Sequence, residues 1–363
     1  MTATLPSQTF DVIVVGGGQA GLAVAYHLSR QEADFMVLDA GAEVGESWRT
    51  RWESLRLFTP AEYDGLPGMR FPAADSDYPS KDQVADYLRD YVARFALPVR
   101  LGCAVTRVEQ VADGFIVHTS QGPFSTRQVV VATGPFQEPV VPRVAAGLSD
   151  EMIQLHSAEY RRPSDIPAGP VVVVGAGNSG RQIAEELAAT HEVTLAVGTA
   201  PLQLPQRFLA RDLFWWLTKL GLMDKTIESR LARRMRERGD LIIGTPLKRL
   251  RDVGVQIRPR VTSMTANEVG FQAGPPVEPV TVVWATGFRA DYSWVDVPEV
   301  FDEKGNTRHD RGITAAQGLA FVGLPWQHTR GSALLGFVQS DAAWVAGQLE
   351  ADRRQRNGDL VDF

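Results

Sequence analysis

The chain has 363 residues, of which 44% are apolar and 22% charged, a balance typical of a soluble globular protein with room for two domains. The formal net charge of -6 gives no reason to expect nucleic acid as a partner. Cys103 is the only cysteine, which excludes an internal disulfide or dithiol redox pair and disfavours a cysteine-rich metal site, so we predict no metal.

The N-terminal ten residues are polar, and no stretch of about 18 apolar residues occurs in the sequence. These features predict a cytoplasmic protein without an integral membrane segment.

A glycine-rich finger follows the first apolar run. Residues 12–15 predict a buried parallel strand, and glycines stand where a side chain would block the turn, the pyrophosphate or helix packing: Gly16, Gly18 and Gly21. A helix over 20–29 would aim its N-terminus at the phosphates, with Gln19 and Ala20 inside the finger. A second strand, 35–38, ends in Asp39, at the spacing of a carboxylate that binds a ribose 2′-hydroxyl. The sequence therefore predicts a site for FAD.

Residues 129–134 and 282–287 are near copies, each an apolar strand ending in Ala-Thr-Gly. A terminal glycine lets the backbone turn beside a ligand. We therefore add Ala132 and Gly134 to the FAD site, and Thr286 and Gly287 to a nicotinamide site. Val105, in a strand expected beside the adenine, is a further FAD candidate, although a core position explains it equally well.

A second finger repeats the pattern after an apolar strand over 171–174. Its predicted NAD(P) residues are Gly175, Gly177, Asn178, Ser179, Gly180 and Arg181. The next strand runs into Gly198, at the same offset from its finger as Asp39. Gly198 offers neither a carboxylate to repel a 2′-phosphate nor an arginine to bind one, and Arg207 is either a phosphate ligand or a surface residue. The choice between NADH and NADPH stays open.

The two fingers predict an α/β fold with two Rossmann-like dinucleotide-binding domains. The FAD domain comprises residues 1–144 and 279–363, and the NAD(P) domain is inserted as residues 145–278. Prolines cluster at both crossings, which is typical of stiff linkers.

An aromatic run over 213–217 precedes a basic helical stretch over 230–238. A packed aromatic cluster beside a solvated arginine face is the favoured interpretation. The alternative is a lid at a membrane surface or substrate channel.

With both fingers, both Ala-Thr-Gly strands and the segment Gly45-Glu46-Ser47-Trp48-Arg49, the chain resembles the class B flavin-dependent monooxygenases, especially the short bacterial flavin-containing monooxygenases. The likeness covers nearly the full length. Residues 150–160 occupy the place of the family fingerprint F-x-G-x-x-x-H-x-x-x-Y. His156 and Tyr160 match it, whereas Asp150 and Met152 replace the phenylalanine and glycine.

The resemblance implies FAD in the first site and NADPH or NADH in the second. It also implies transfer of one oxygen atom from a C4a-(hydro)peroxyflavin to a sulfide, amine or ketone, with dioxygen as co-substrate and a homodimer as one possible assembly. In the family, the fingerprint histidine is associated with the interdomain linker. Trp48 would cover a flavin face, and Arg49 would meet a phosphate or a polar ring edge.

The C-terminal segment 323–334 is rich in glycine and polar residues. We predict a helix that begins with Ser332 as its N-cap, runs to about residue 349 and, with Ala333, points N–H groups at the flavin. His328 would lie near the flavin ring. Asn178, His328 and Arg49 are the catalytic candidates, and Thr59 and Pro60 either line the oxygen-transfer cavity or form a plain turn.

Two other functions fit the same pattern. The first is a reductase that passes electrons to a ferredoxin-like partner or to oxygen, and the second is a flavoprotein that senses redox state without catalysis. Fold alone does not separate them from a monooxygenase.

Overall fold

A computed structural model describes residues 8–198, 203–237 and 242–359. Its strands are β1 Thr9–Val15, β2 Phe35–Leu38, β3 Val99–Arg100, β4 Val105–Val111, β5 Gly114–Thr119, β6 Phe124–Val131, β7 Glu138–Pro139, β8 Ile153–His156, β9 Pro170–Val174, β10 Glu192–Ala196, β11 Gln203–Leu204, β12 Arg207–Phe208, β13 Arg211–Asp212, β14 Ile242–Ile243, β15 Gln256–Arg258, β16 Val261–Met264, β17 Val269–Phe271, β18 Thr281–Trp284, β19 Phe288–Arg289, β20 Val295–Asp296 and β21 Leu319–Phe321. Its α-helices are α1 Gln19–Arg30, α2 Glu46–Arg49, α3 Lys81–Phe95, α4 Asn178–Leu187, α5 Leu213–Lys219, α6 Arg230–Glu237, α7 Leu247–Asp252 and α8 Gln339–Asp359.

The strands form two main sheets, which confirms the predicted α/β class. The larger sheet has the order β20-β4-β5-β6-β1-β2-β3, with β21 also paired to β6. The smaller sheet is β15-β10-β9-β18-β8, and all its pairs are parallel. The central strands β1 and β9 are buried along their apolar runs, because helices cover one face of each sheet and strands and loops cover the other.

The second Ala-Thr-Gly strand belongs to the inserted sheet, whereas the sequence predicts that the chain returns to the FAD domain at residue 279. β18 pairs in parallel with β9 and β8, so it completes the inserted sheet and does not join the first one. The chain leaves the inserted sheet only after Trp284. Each crossing then contributes a short strand, and β7 and β19 pair antiparallel between the domains.

The aromatic run over 213–217 forms α5, and its buried face agrees with the favoured interpretation of a packed cluster. Leu213, Phe214 and Leu217 are buried, and they pack against apolar side chains of the FAD domain that include Phe58 and Phe337. The basic stretch forms α6 as far as Glu237, and Arg238 lies outside the described residues. Among the helices that the structure describes, none is long and apolar enough to cross a bilayer.

Candidate functional site

The first finger is shaped by close backbone contacts. A side chain at Gly16, whose φ is +105°, would begin 2.7 Å from the carbonyl oxygen of Ala132, and one at Gly21 would begin 1.9 Å from the carbonyl oxygen of Gly16. Gly18, by contrast, has no protein atom within 4 Å of that position. The fold therefore requires Gly16 and Gly21, whereas Gly18 opens onto space at the N-terminus of α1. A pyrophosphate fits there.

Asp39 lies at the end of β2, as expected for a ribose ligand. Its Oδ2 accepts a hydrogen bond from Gly17 N–H at 2.6 Å and its Oδ1 accepts one from Gly41 N–H at 2.7 Å. These bonds fix the carboxylate against the finger. Cys103 N–H donates to the carbonyl oxygen of Asp39, which brings the chain leading into Val105 to the same edge of the sheet.

Trp48 lies at the boundary between the two domains. It is half-buried, packs against the cores of both domains, and its Nε1 is 3.4 Å from Oε1 of Gln19 in the finger. Its assignment to FAD remains a prediction, supported by this position.

The second finger has the same construction. A side chain at Gly175 would begin 2.3 Å from the carbonyl oxygen of Ala285, and one at Gly180 would begin 1.9 Å from that of Gly175. At Gly177, again, a side chain would meet no atom of the rest of the described residues within 4 Å. The two Ala-Thr-Gly strands therefore perform one task in two sheets, and Gly134 and Gly287 both end them at positive φ with open space beside them.

Strand register corrects the comparison between Asp39 and Gly198. Val15 pairs with Leu38 in the first sheet and Val174 pairs with Ala196 in the second, so the equivalent of Asp39 is Val197. The offset fails by one residue, because α4 is two residues shorter than α1 and the connection from α4 to its strand pair is one residue longer. A side chain at Gly198 would begin 3.7 Å from Nε of Arg260, a residue that sequence reasoning missed because it follows a different strand, β15.

The guanidinium of Arg49 lies among the carboxylates of three acidic residues. Its guanidinium lies 3.2 Å from Asp82 and 2.9 Å from Asp86, both on α3, and 3.5 Å from Glu43. The hydrogen bond with Asp86 is the largest contribution to a raised pKa of Arg49. Arg49 therefore joins α2 to α3, and its roles as a flavin ligand and catalytic residue remain predictions.

Two residues of the second finger also have structural tasks. Oδ1 of Asn178 accepts a hydrogen bond from Ile243 N–H at 3.1 Å, which ties β14 to the finger, and the catalytic role of Asn178 remains a prediction. Arg181 is 2% exposed and donates to the carbonyl oxygens of Ala176 and Thr245. It supports the finger from within the protein, and its contact with NAD(P) remains a prediction. Ser179 remains a prediction, as does a ligand role for Asn178.

The predicted helix at Ser332 is wrong. Residues Arg330–Ala333 form a 3-10 turn capped by Thr329, and α8 begins only at Gln339. Ser332 is completely buried, and its Oγ accepts hydrogen bonds from the N–H groups of His328 and Thr329. The carbonyl oxygen of His328 in turn accepts from Ile227 N–H of the inserted domain. The segment is a tight contact between the domains, and the roles of His328 and Ala333 at the flavin remain predictions.

The two matching fingerprint residues lie beside the linker. His156 is buried, its Nδ1 accepts from Ala158 N–H, and its Nε2 donates to the carbonyl oxygen of Gly287 at 3.0 Å. Burial lowers the pKa of His156, which favours this neutral form. The hydroxyl of Tyr160 donates to Glu186 at 2.9 Å. His156 therefore connects β8 to the Ala-Thr-Gly turn of the nicotinamide site.

Asp64, which sequence reasoning missed, is an unusual buried acid in the loop that contains Thr59 and Pro60. It is fully buried, its Oδ1 accepts from the Thr59 hydroxyl at 2.6 Å, and its Oδ2 has no hydrogen-bond partner. Burial raises the pKa of Asp64 to about 7. Its neighbours line a cavity of about 440 Å³, together with Leu66, Met69 and a Tyr63–Phe337 ring pair whose centroids are 5.9 Å apart.

Substitutions at Gly18 and Gly21 should separate the demands of the fold from those of the ligand. We expect Gly21→Ala to destabilise the apoprotein by about 1–3 kcal/mol, because its methyl group would overlap a backbone carbonyl. Gly18→Ala should leave the apoprotein melting temperature unchanged and weaken FAD binding at least about tenfold. Thermal melts and flavin titration measure both. If Gly18→Ala binds flavin as tightly as the wild type, the pyrophosphate of FAD does not bind at Gly18.

Replacement of Asp64 should change how stability depends on pH. The pKa of the Asp64 carboxyl is about 7 in the folded protein and roughly 3.9 in the unfolded protein. Ionisation of Asp64 therefore lowers the free energy of unfolding progressively as pH rises from about 4 to 7. Asp64→Asn should match the wild type at pH 4 and exceed its unfolding free energy by a few kcal/mol at pH 8. Urea unfolding across this range tests it, with exposed Glu303→Gln as the control. Parallel profiles for wild type and Asp64→Asn would refute the prediction.

Comparisons with known proteins agree with this geometry. A family model described as pyridine nucleotide-disulphide oxidoreductase matches residues 13–311. An uncharacterized oxidoreductase, CzcO-like, from Geobacillus kaustophilus is 42% identical over 93% of this chain and 98% of its own, and the uncharacterized oxidoreductase CzcO of Bacillus subtilis is 38% identical over 94% and 100%.

Among solved structures, a flavin-containing monooxygenase from Stenotrophomonas maltophilia superposes with a TM-score of 0.79 and 29% identity, covering 95% of this chain and 99% of that one. The predicted resemblance and the predicted use of FAD and NAD(P)H are confirmed. The chain therefore belongs to the pyridine nucleotide-disulphide oxidoreductase family, and it is a flavin-dependent oxidoreductase similar to the flavin-containing monooxygenases.

Proposed function

We propose that the protein is a monooxygenase that transfers one atom of dioxygen to a sulfide, an amine or a ketone. NAD(P)H supplies two electrons, one oxygen atom enters the substrate, and the other leaves as water. Similarity to a solved flavin-containing monooxygenase over nearly the whole chain supports this class.

The observation that carries the proposal is the pair of matched phosphate cradles in a chain that has a single cysteine. Cys103 is 1% exposed and has no partner thiol in the sequence, so electrons that reach the flavin have no route into a dithiol. The disulphide chemistry that gives the family its name is therefore excluded within one chain. Reaction with dioxygen is the alternative outlet, and the cavity of about 440 Å³ near Asp64 offers room for an organic substrate.

When bound, FAD accepts a hydride from the nicotinamide and activates dioxygen. The protein positions the two cofactors and limits access of water. Gly18 and Gly177 admit the two pyrophosphates, Asp39 is oriented to bind the FAD ribose, and Trp48 lies at the boundary between the cofactor domains. The pKa of about 7 lets the buried carboxyl of Asp64, beside the cavity, take up or release a proton near neutral pH.

We further propose NADPH as the preferred coenzyme. At the position equivalent to the FAD-site carboxylate, the second site has the apolar Val197, which cannot repel a 2′-phosphate. Arg260 lies next to it, within 4 Å of a side-chain position at Gly198. An arginine in this place supplies the donors and the charge that a phosphate requires.

Isotope-labelled oxygen tests the reaction. Purified enzyme supplied with NADPH, ¹⁸O₂ and a simple aryl sulfide, tertiary amine or cyclic ketone should place one labelled atom in at least one product. Gly18→Ala should reduce the incorporation of labelled oxygen in proportion to the fraction of FAD that the variant loses. If the peroxide formed equals the oxygen consumed with every substrate class, the proposal is wrong. If the enzyme reduces a ferredoxin or cytochrome faster than it reacts with oxygen, it is a reductase.

Coenzyme kinetics test the role of Arg260. Arg260→Ala should lower kcat/KM for NADPH about 10- to 100-fold, the range expected for lost charge-assisted hydrogen bonds, and change that for NADH less than about threefold. Exposed Arg251→Ala is the matched control in the same domain. Equal losses with both coenzymes would show that Arg260 does not read the phosphate.

A further inference from the structure

The hairpin formed by β12 and β13 has an unusual tip. Phe208 pairs with Arg211, and the two residues between them, Leu209 and Ala210, have φ of +48° and +60°. A two-residue hairpin loop with both φ values positive strongly favours Asn-Gly, because other side chains are strained there. Leu209 is also 70% exposed. One residue thus combines backbone strain with an exposed apolar side chain, and neither helps the fold.

Leu209 is part of a larger apolar surface. Phe208 is 56% exposed and Leu220 is 64% exposed, while Trp215 and Trp216 lie half-buried on the outer face of α5. Trp216 Nε1 donates to the carbonyl oxygen of Phe208 at 3.0 Å, so the hairpin is held against the helix. We call these five residues the hairpin patch. Its residues are ordered by contacts within the protein, and the apolar side chains still face outward.

Cationic side chains border the hairpin patch. The guanidinium carbon of Arg211 lies 5.2 Å from the centroid of the Trp215 ring, and Lys219 Nζ lies 6.0 Å from it. Arg207 is exposed on the neighbouring strand. The nearby acid Asp212 points inward, where it accepts hydrogen bonds from Phe214 N–H and from the hydroxyl of Tyr78. The border therefore carries three cations, with the exposed carboxylate of Glu62 interacting with Arg211.

The charge of the surrounding segment has the same sign. Residues 203–237 contain eight arginine or lysine residues and four acidic residues, although the whole chain has a net charge of -6. Four of these cations are arginines on α6. A positive region on a negative protein favours binding to an anionic surface.

We propose that the hairpin patch docks on the surface of an anionic lipid bilayer. Tryptophan, phenylalanine and leucine insert at the level of the headgroups, while arginine and lysine around them bind lipid phosphates. A second copy of the chain fits less well, because pairing the same patch would bring two positive segments together. The opposite, buried face of α5 packs on Phe337 of the cavity wall, so docking would place α5 between the bilayer and that wall.

Vesicle sedimentation tests the proposal without using catalysis, so its outcome is independent of the proposed monooxygenase activity. The holoenzyme should bind vesicles of phosphatidylglycerol mixed with phosphatidylcholine, bind several-fold less at high salt, and ignore pure phosphatidylcholine. Leu209→Asn/Ala210→Gly should bind about tenfold more weakly, because the inserted leucine is lost. The same variant should melt at or above the wild-type temperature, since Asn-Gly suits the turn.

Controls separate docking from general surface effects. Val253→Asn removes an exposed apolar residue in the same domain but outside the patch and should bind like the wild type. Arg211→Glu/Lys219→Glu should bind more weakly than Lys248→Glu. Equal binding to neutral and anionic vesicles, no binding, or unchanged binding by the Asn-Gly variant would overturn the proposal. A wild-type dimer that this variant loses in sedimentation would instead assign the patch to self-association.

Discussion

The close approach of two backbones at each finger is the constraint on which the rest of the structure depends. At Gly16 and Gly175 the carbonyl oxygen of an Ala-Thr-Gly strand occupies the space where a side chain would begin. This contact holds the finger against the strand next to it and thereby aims the following helix at open space. Phosphate binding is therefore a consequence of how the sheet is packed, and the same solution appears twice in one chain.

Local patterns predict the fold well where neighbouring residues decide the outcome. The apolar runs before Gly16 and Gly175 predict buried parallel strands, and the glycine spacing predicts which backbone contacts follow. The boundary at residue 279 fails because the apolar run of β18 suits either sheet, and only pairing with β9 decides between them. Ser332 fails for a similar reason, since a buried hydroxyl in a 3-10 turn and a helix cap have the same local sequence.

The site is less predictable, because its side chains are placed by distant elements. Arg49 follows a tryptophan beside the finger, yet carboxylates on α3 determine where its guanidinium lies. The equivalent of Asp39 is Val197 and not Gly198, because α4 and the connection that follows it are together one residue shorter than their counterparts in the first site. Arg260 comes from another strand, and Asp64 becomes unusual only when packing removes its water.

The antiparallel pair of β7 and β19 has a consequence for motion between the domains. The two crossings are hydrogen-bonded into a single ribbon, and the imidazole of His156 is joined to the carbonyl group directly before it. Outgoing and returning chains therefore cannot swing separately. Any rotation of the coenzyme domain would turn about this shared ribbon, and the movement would reach the turn that borders the nicotinamide cradle.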